Sequence, residues 1–294
     1  MLTGNYLFET TKTLSLHPLM FESLDLPLLI GLIIALAATG IVGGILAGLL
    51  GVGGGIVIVP VLFHILPYFG VGDDIRMHVA VGTSLATIIL TSISSARSHY
   101  KKGAIDTQLL KRWGPIIFIG VLFGTWFASK TDATILTGIF AVLALFVAAN
   151  MAFRPENVHL SDKLPGSPFK ELIALFIGSF SAMMGIGGGT FTVPILTLFS
   201  YPIRKAVGTA AAIGLIISIP GTLGFLLSGL TVSELPPGNI GYVNMLGFIV
   251  IVPMTVLCAP FGAHLAHSIN TGLLKKAFAL FLFLTSLRMF YGLI

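Results

Sequence analysis

Charge is what this sequence has least of. Asp, Glu, Lys and Arg together make up 9% of its 294 residues, against about a quarter of a typical soluble domain. With 55% hydrophobic residues and a mean hydropathy of +1.01, that scarcity excludes a soluble globular protein. Cysteine is almost missing as well. Cys258 stands alone inside an apolar run, so no intrachain disulfide forms and no redox compartment can be inferred; its reading is packing. No Asp or Glu lies deep in any apolar stretch, which argues against a carboxylate-based cation site. No HExxH motif, no paired cysteine ligands and no carboxylate dyad occur. The chain therefore gives no sign of a metal centre, a cofactor or catalytic machinery, and an enzyme is not expected.

Apolar length is what the chain has in abundance. Stretches of about 17 to 25 residues recur, each long enough to cross a hydrocarbon core roughly 30 Å thick. They are continuously apolar, where the strands of a membrane barrel would alternate. The expected fold is all-α and polytopic, with ten segments at 28–50, 56–69, 77–95, 113–129, 133–153, 169–184, 189–201, 206–228, 241–266 and 272–293. The second and seventh are short and contain Pro60 and Pro194, so they are expected to be tilted, broken or re-entrant. Residues 1–27 carry Glu9, Lys12, Glu22 and Asp25 without a long apolar core. They read as an extramembrane lead-in rather than a secretory signal.

The net charge of +5 comes from Lys and Arg scattered over short loops, a topology signal rather than a nucleic-acid surface. Ten crossings gather Arg97, Lys101, Lys102, Lys111, Arg112, Arg154, Lys163, Lys170, Arg204, Lys205, Lys275 and Lys276 on one side. Only Lys12, Arg76, Lys130 and Arg288 remain on the other. If the short segments merely dipped in and returned, the charges would divide more evenly, so ten crossings with both termini outside are expected. The loop 154–168 divides a first membrane repeat, 28–153, from a second, 169–294.

The halves resemble each other. Gly51-Val52-Gly53-Gly54-Gly55 with Pro60 recurs as Gly185-Ile186-Gly187-Gly188-Gly189 with Pro194, an offset of 134. Ala80-Val81-Gly82-Thr83 recurs as Ala206-Val207-Gly208-Thr209 at 126, and Pro115 with Phe123-Gly124 recurs as Pro253 with Phe261-Gly262 at 138. Five segments per half is an odd number. The second copy then enters the membrane from the opposite side, which gives inverted repeats about a pseudo-twofold axis in the membrane plane, chiefly a transporter signature.

Glycines beside an apolar segment have a plain packing reading. The run Gly53-Gly54-Gly55, like Gly187-Gly188-Gly189, also leaves backbone amides uncovered at the start of a short helix, where partial positive charge suits an anion. A cavity between the two runs would accommodate such irregular backbone at membrane depth. Thr83, Ser84, Thr190 and Thr209 lie beside these elements and could donate hydroxyls, although Ser and Thr in apolar helices often bond their own backbone. Ala210 replaces Ser84 in the second copy, so the site is asymmetric. His78 aligns with Arg204; either could attract an anion or fix a helix end. His64, His264 and His267 read as solitary polar contacts. A dinucleotide loop is excluded by context, since no strand-turn-helix unit or acidic ribose partner follows GVGGG.

The paired glycine-proline elements, the AVGT-type motif after each, and Gly241-Tyr242-Val243-Asn244 resemble the TauE/SafE family, over roughly residues 28–293. The resemblance implies a permease for small sulfur-containing anions, such as sulfite, sulfoacetate or other organosulfonates. Its place would be a plasma membrane (the inner membrane in a bacterium), as a monomer or homo-oligomer. With the inside negative, anion efflux runs downhill at about 2.3 kcal/mol per charge per 100 mV. Export by alternating access is therefore the expected activity. Proton-coupled uptake and a passive anion channel are the alternatives.

Overall fold

The computed structural model describes residues 25–153, 160–161, 163–232, 235–265 and 271–292, without the side chains of 271–275, 277 and 278. Most of the expected lead-in and residues 154–159 and 162 of the loop after residue 153, with Lys12, Arg154 and His267, lie outside the described residues. The chain runs α1 (Leu26–Leu50), α2 (Gly55–Ile65), a 3-10 turn (Leu66–Phe69), α3 (Asp73–Lys101), α4 (Thr107–Lys130) and α5 (Ala133–Phe153). It continues through α6 (Phe169–Met184), α7 (Gly189–Leu198), α8 (Ile203–Gly229), a hairpin of β1 (Asn239–Ile240) and β2 (Val243–Asn244), α9 (Met245–Leu265) and α10 (Thr271–Tyr291). Among the described residues six helices, α1, α3, α4, α5, α8 and α9, are long and apolar enough to cross a bilayer. The protein is a polytopic all-α membrane protein.

The ten expected segments correspond to the ten helices, with instructive differences at their ends. α3 begins four residues before the expected 77 and α4 six before the expected 113. Both starts carry charge, Asp73 and Asp74 in one and Lys111 and Arg112 in the other, so hydropathy alone discounts these first turns. Asp106 caps α4 by accepting hydrogen bonds from the amides of Gln108 and Leu109, each at 2.9 Å. The segment expected to start at 241 opens instead with the β1–β2 hairpin, in which Asn239 pairs with Asn244 and Ile240 with Val243. α2 and α7 have 11 and 10 residues, about 16 Å each. Both are too short to cross alone.

Packing repeats with the sequence. α1 lies on α9 as α6 lies on α4; α3 lies on α9 as α8 lies on α4; α2 sits on α3 as α7 sits on α8; α3 pairs with α8 and α5 with α10. The first of these pairs shows why glycine is needed. A Cβ on Gly48 of α1 would fall 1.9 Å from the Ala259 carbonyl oxygen of α9, and one on Gly124 of α4 would fall 2.2 Å from the Ser179 oxygen of α6. With no hydrophobic drive between helices in lipid, such backbone approach supplies the dispersion contact that holds them.

Candidate functional site

α1 and α6 both end on a left-handed glycine, Gly51 at φ +70° and Gly185 at φ +64°, whose amides return to Ala47 and Ala182. Each chain then turns through its glycine run and restarts as a short helix. In the first elbow Gly53 and Gly54 take φ of +73° and +80°, a conformation in which any side chain would be strained. The elbows meet and run antiparallel. A Cβ on Gly189 would lie 2.3 Å from the Gly51 carbonyl, one on Gly53 would lie 3.0 Å from Gly187 Cα, and one on Gly55 would lie 2.3 Å from the Gly185 oxygen. The Gly187 amide donates to the Val52 oxygen at 3.1 Å. The cavity expected between the two runs is therefore filled by the runs themselves, because glycine allows backbone to seat on backbone.

Amides remain beside this junction. In α2 the Val57 and Ile58 amides return to the Gly54 oxygen, and in α7 the Thr192 amide returns to Gly188. The amides of Gly55 and Ile56, and of Gly189 and Thr190, have no intrahelical acceptor. Sequence reasoning placed Gly53, Gly54, Gly55, Gly187, Gly188, Gly189 and Thr190 here, and the structure brings them together. Ser84 is also at the junction, but its hydroxyl donates to the Gly185 oxygen at 2.6 Å, a latch between α3 and the end of α6.

The other candidates lie elsewhere. Thr83 Oγ1 accepts from the Asn244 amide at 2.8 Å, and Thr209 Oγ1 accepts from the Asp106 amide at 2.9 Å. Each repeat's threonine thus holds the capping residue of a helix in the other repeat. His78 Nε2 lies 3.0 Å from the carbonyl oxygens of both Ala128 and Thr131 and its ring stacks on Tyr242 at 5.0 Å. Of its two readings, the structure shows the helix end. Arg204 is exposed at the start of α8. Asp106 also accepts a hydrogen bond from the Tyr201 hydroxyl. That bond, reinforced by the Leu109 and Gln108 amides and nearby Lys205, holds its carboxyl below the usual range, while burial and the same contact push the Tyr201 phenol up.

Beyond Thr190, to which the sequence already points, the structure adds Ser92, Ser181 and Thr192 to a set of buried hydroxyls. Ser92, Ser181, Thr190 and Thr192 are at most 3% exposed, and their oxygens have no hydrogen-bond partner among the described residues. A buried polar group left so costs about 1–3 kcal/mol, a standing expense for which packing gives no return. At the repeat offset Ser181, Thr190 and Thr192 correspond to Ala47, Ile56 and Ile58, a signal available in the sequence. The surroundings carry no formal charge: among the described residues no Asp, Glu, Lys or Arg is buried, and no cluster fit for a metal occurs.

Comparison with known proteins identifies the family. The family model described as "Sulfite exporter TauE/SafE" matches residues 36–289. The chain belongs to this family. A "Probable membrane transporter protein" of Haemophilus influenzae is 35% identical over 252 residues, covering 85% of this chain and 95% of its own length. One from Methanocaldococcus jannaschii is 32% identical, covering 74% and 81%, and one from Bacillus subtilis is 29% identical, covering 83% and 90%. No solved structure matches. TauE/SafE membership, the apolar helices and the names of these relatives make the protein a multi-pass membrane transporter.

Proposed function

We propose that the protein exports small sulfur-containing anions, of the sulfite and organosulfonate class, across a plasma membrane by alternating access between two inverted five-segment repeats. The observation that carries this reading is the antiparallel meeting of the glycine elbows. Two stretches related by sequence run in opposite directions past Gly53 and Gly187, and each opens a short helix whose first amides have no intrahelical acceptor. An inverted pair of copies supports two conformations of similar energy, one open to each side. Each short helix completes a crossing together with its elbow, and ten crossings with the loops around 97–112 and 201–205 in the cytoplasm keep the positive charges there.

An anion suits the site because amide and hydroxyl donors are present and buried acids are not. Proton-coupled uptake would need a relay, and no buried carboxylate among the described residues offers one. Since the elbows touch, the substrate sits beside their junction rather than between them. Sulfite and a small sulfonate each present three sulfur-bound oxygens to such donors. That shared face defines the substrate class.

Purified protein in liposomes should move labelled sulfite and a small sulfonate with saturation. Transport of a cation or a neutral solute, with no movement of either anion, overturns the assignment. Flux that rises with concentration without limit replaces the transporter by a channel.

A further inference from the structure

The two elbows differ in backbone, Gly54 taking φ +80° where Gly188 takes φ −58°, and they differ in side chains on one side. A Cβ on Gly214 of α8 would lie 2.6 Å from Ser92 Oγ and 3.6 Å from the Gly188 amide nitrogen. The missing side chain at Gly214 thus leaves the Ser92 hydroxyl of α3 facing the start of α7. Ser92 is 1% exposed and its oxygen has no partner among the described residues. Thr190, in the first turn of α7, is 3% exposed and likewise has an unpartnered hydroxyl. At the equivalent places around α2 the chemistry is different. Ile56 stands for Thr190 and Ile88 for Gly214, while Ser218, the counterpart of Ser92, reaches the Leu215 oxygen at 3.4 Å.

We infer that the substrate site is off the pseudo-twofold axis, at the start of α7, where Ser92 and Thr190 hydroxyls and the Gly188 and Gly189 amides bind a singly charged oxyanion. The inference rests on the anion-export reading and gives it a location and a charge class. Ser92 comes from the first repeat and α7 from the second, so the site spans both repeats and is remade when they shift. A helix N-terminus and hydroxyls offer only partial positive charge. With no buried Lys or Arg among the described residues, one negative charge is met and a second is left uncompensated in a low-dielectric interior. The site therefore takes hydrogen sulfite or a sulfonate and refuses sulfate, a dianion with the same kind of oxygen.

The test uses the full chain in liposomes, with methanesulfonate as a permanent monoanion and with sulfite. Loss of one hydrogen bond to a charged ligand corresponds to about tenfold in affinity. Ser92→Ala is expected to raise the half-saturating methanesulfonate concentration about tenfold, and Ser218→Ala to leave it unchanged. Gly214→Ala, which places a methyl between Ser92 and the Gly188 amide, is expected to raise it as well and serves where Ser92→Ala gives poorly folded protein. Sulfate in excess is expected not to compete. Sulfite affinity is expected to improve as pH falls through the range where sulfite gains its proton, while methanesulfonate affinity stays level. Equal affinity in Ser92→Ala, Ser218→Ala and the parent chain, or competition by sulfate, overturns the inference while leaving anion export standing. If the parent chain carries no oxyanion at all, the export reading itself fails.

Discussion

The molecule closes its two ends with the same device made from different chemistry. At one end Thr209 of α8 accepts a hydrogen bond from the backbone of Asp106, whose carboxylate caps α4. At the other, Thr83 of α3 accepts from the backbone of Asn244, whose amide oxygen accepts from the Gly247 amide at 2.8 Å in the first turn of α9. The neighbouring glycine is used alike too: a Cβ on Gly208 would lie 2.4 Å from the Ala104 oxygen, and one on Gly82 would lie 2.2 Å from the Tyr242 oxygen. Each repeat therefore grips the other through a Gly-Thr step. Repetition supplied the geometry, and substitution then made one grip ionic, with Tyr201 on Asp106, and the other neutral, with Asn239 Oδ1 accepting from Asn244 at 3.1 Å. Under the alternating access proposed above the two ends would loosen in turn, and unequal grips would bias which end is closed at rest.

The geometric half of the comparison breaks first. Gly82→Val and Gly208→Val each drive a side chain into backbone, not into a movable neighbour, so each should cost about 3 kcal/mol or more. The melting temperature of detergent-purified protein checks this, and a marked inequality between the two variants would mean that the grips are not equivalent. A smaller effect separates the chemical halves. Asp106→Ala removes a helix cap and the Tyr201 contact together, for about 2 kcal/mol; Asn244→Ala removes a cap and a neutral contact, for about 1 kcal/mol. In the same thermal measurement, Asp106→Asn should recover the cap but not the full stability.

Much of this could be read from the sequence, because long apolar runs, Gly-Gly-Gly and the fixed offsets are local signals. The glycine elbows and the short helices after them are where Gly51–Gly55 and Gly185–Gly189 put them. The role of Thr83 and Thr209 could not be read, since each is decided by an amide more than a hundred residues away. Equivalent positions in the repeat pointed to shared function, and the function they share is structural. The β1–β2 hairpin escaped for a similar reason: Gly241-Tyr242 reads as apolar until Gly82 is seen to accept the Tyr242 backbone. The hydroxyls at Ser181, Thr190 and Thr192 were legible against Ala47, Ile56 and Ile58. Of the three, Thr190 alone is marked by its place beside the glycine run, while Ser84, which the Ala210 difference singles out, proves to be occupied by the Gly185 oxygen.

Acid sharpens the comparison most finely. Asp106 is held below the ordinary carboxylate value by the Tyr201 hydroxyl first, then by the Leu109 and Gln108 amides and Lys205. A group whose folded value is depressed stabilises the fold fully above its unfolded value, about 3.9, and loses that contribution as pH falls through the lower folded value. The stability lead of the parent chain over Asp106→Asn should therefore be constant from neutral pH down to about 5 and shrink below about 4. Because Asp106 is only partly buried, solvent screening keeps the lead small. Asn244 has no proton to gain, so the lead over Asn244→Ala should not change across the same range. Melting temperatures of the three proteins between pH 7 and pH 3 give both differences. A lead over Asp106→Asn that persists undiminished at pH 3 would show that the Tyr201 contact does not depend on the carboxylate charge, and the two grips would then differ in shape alone.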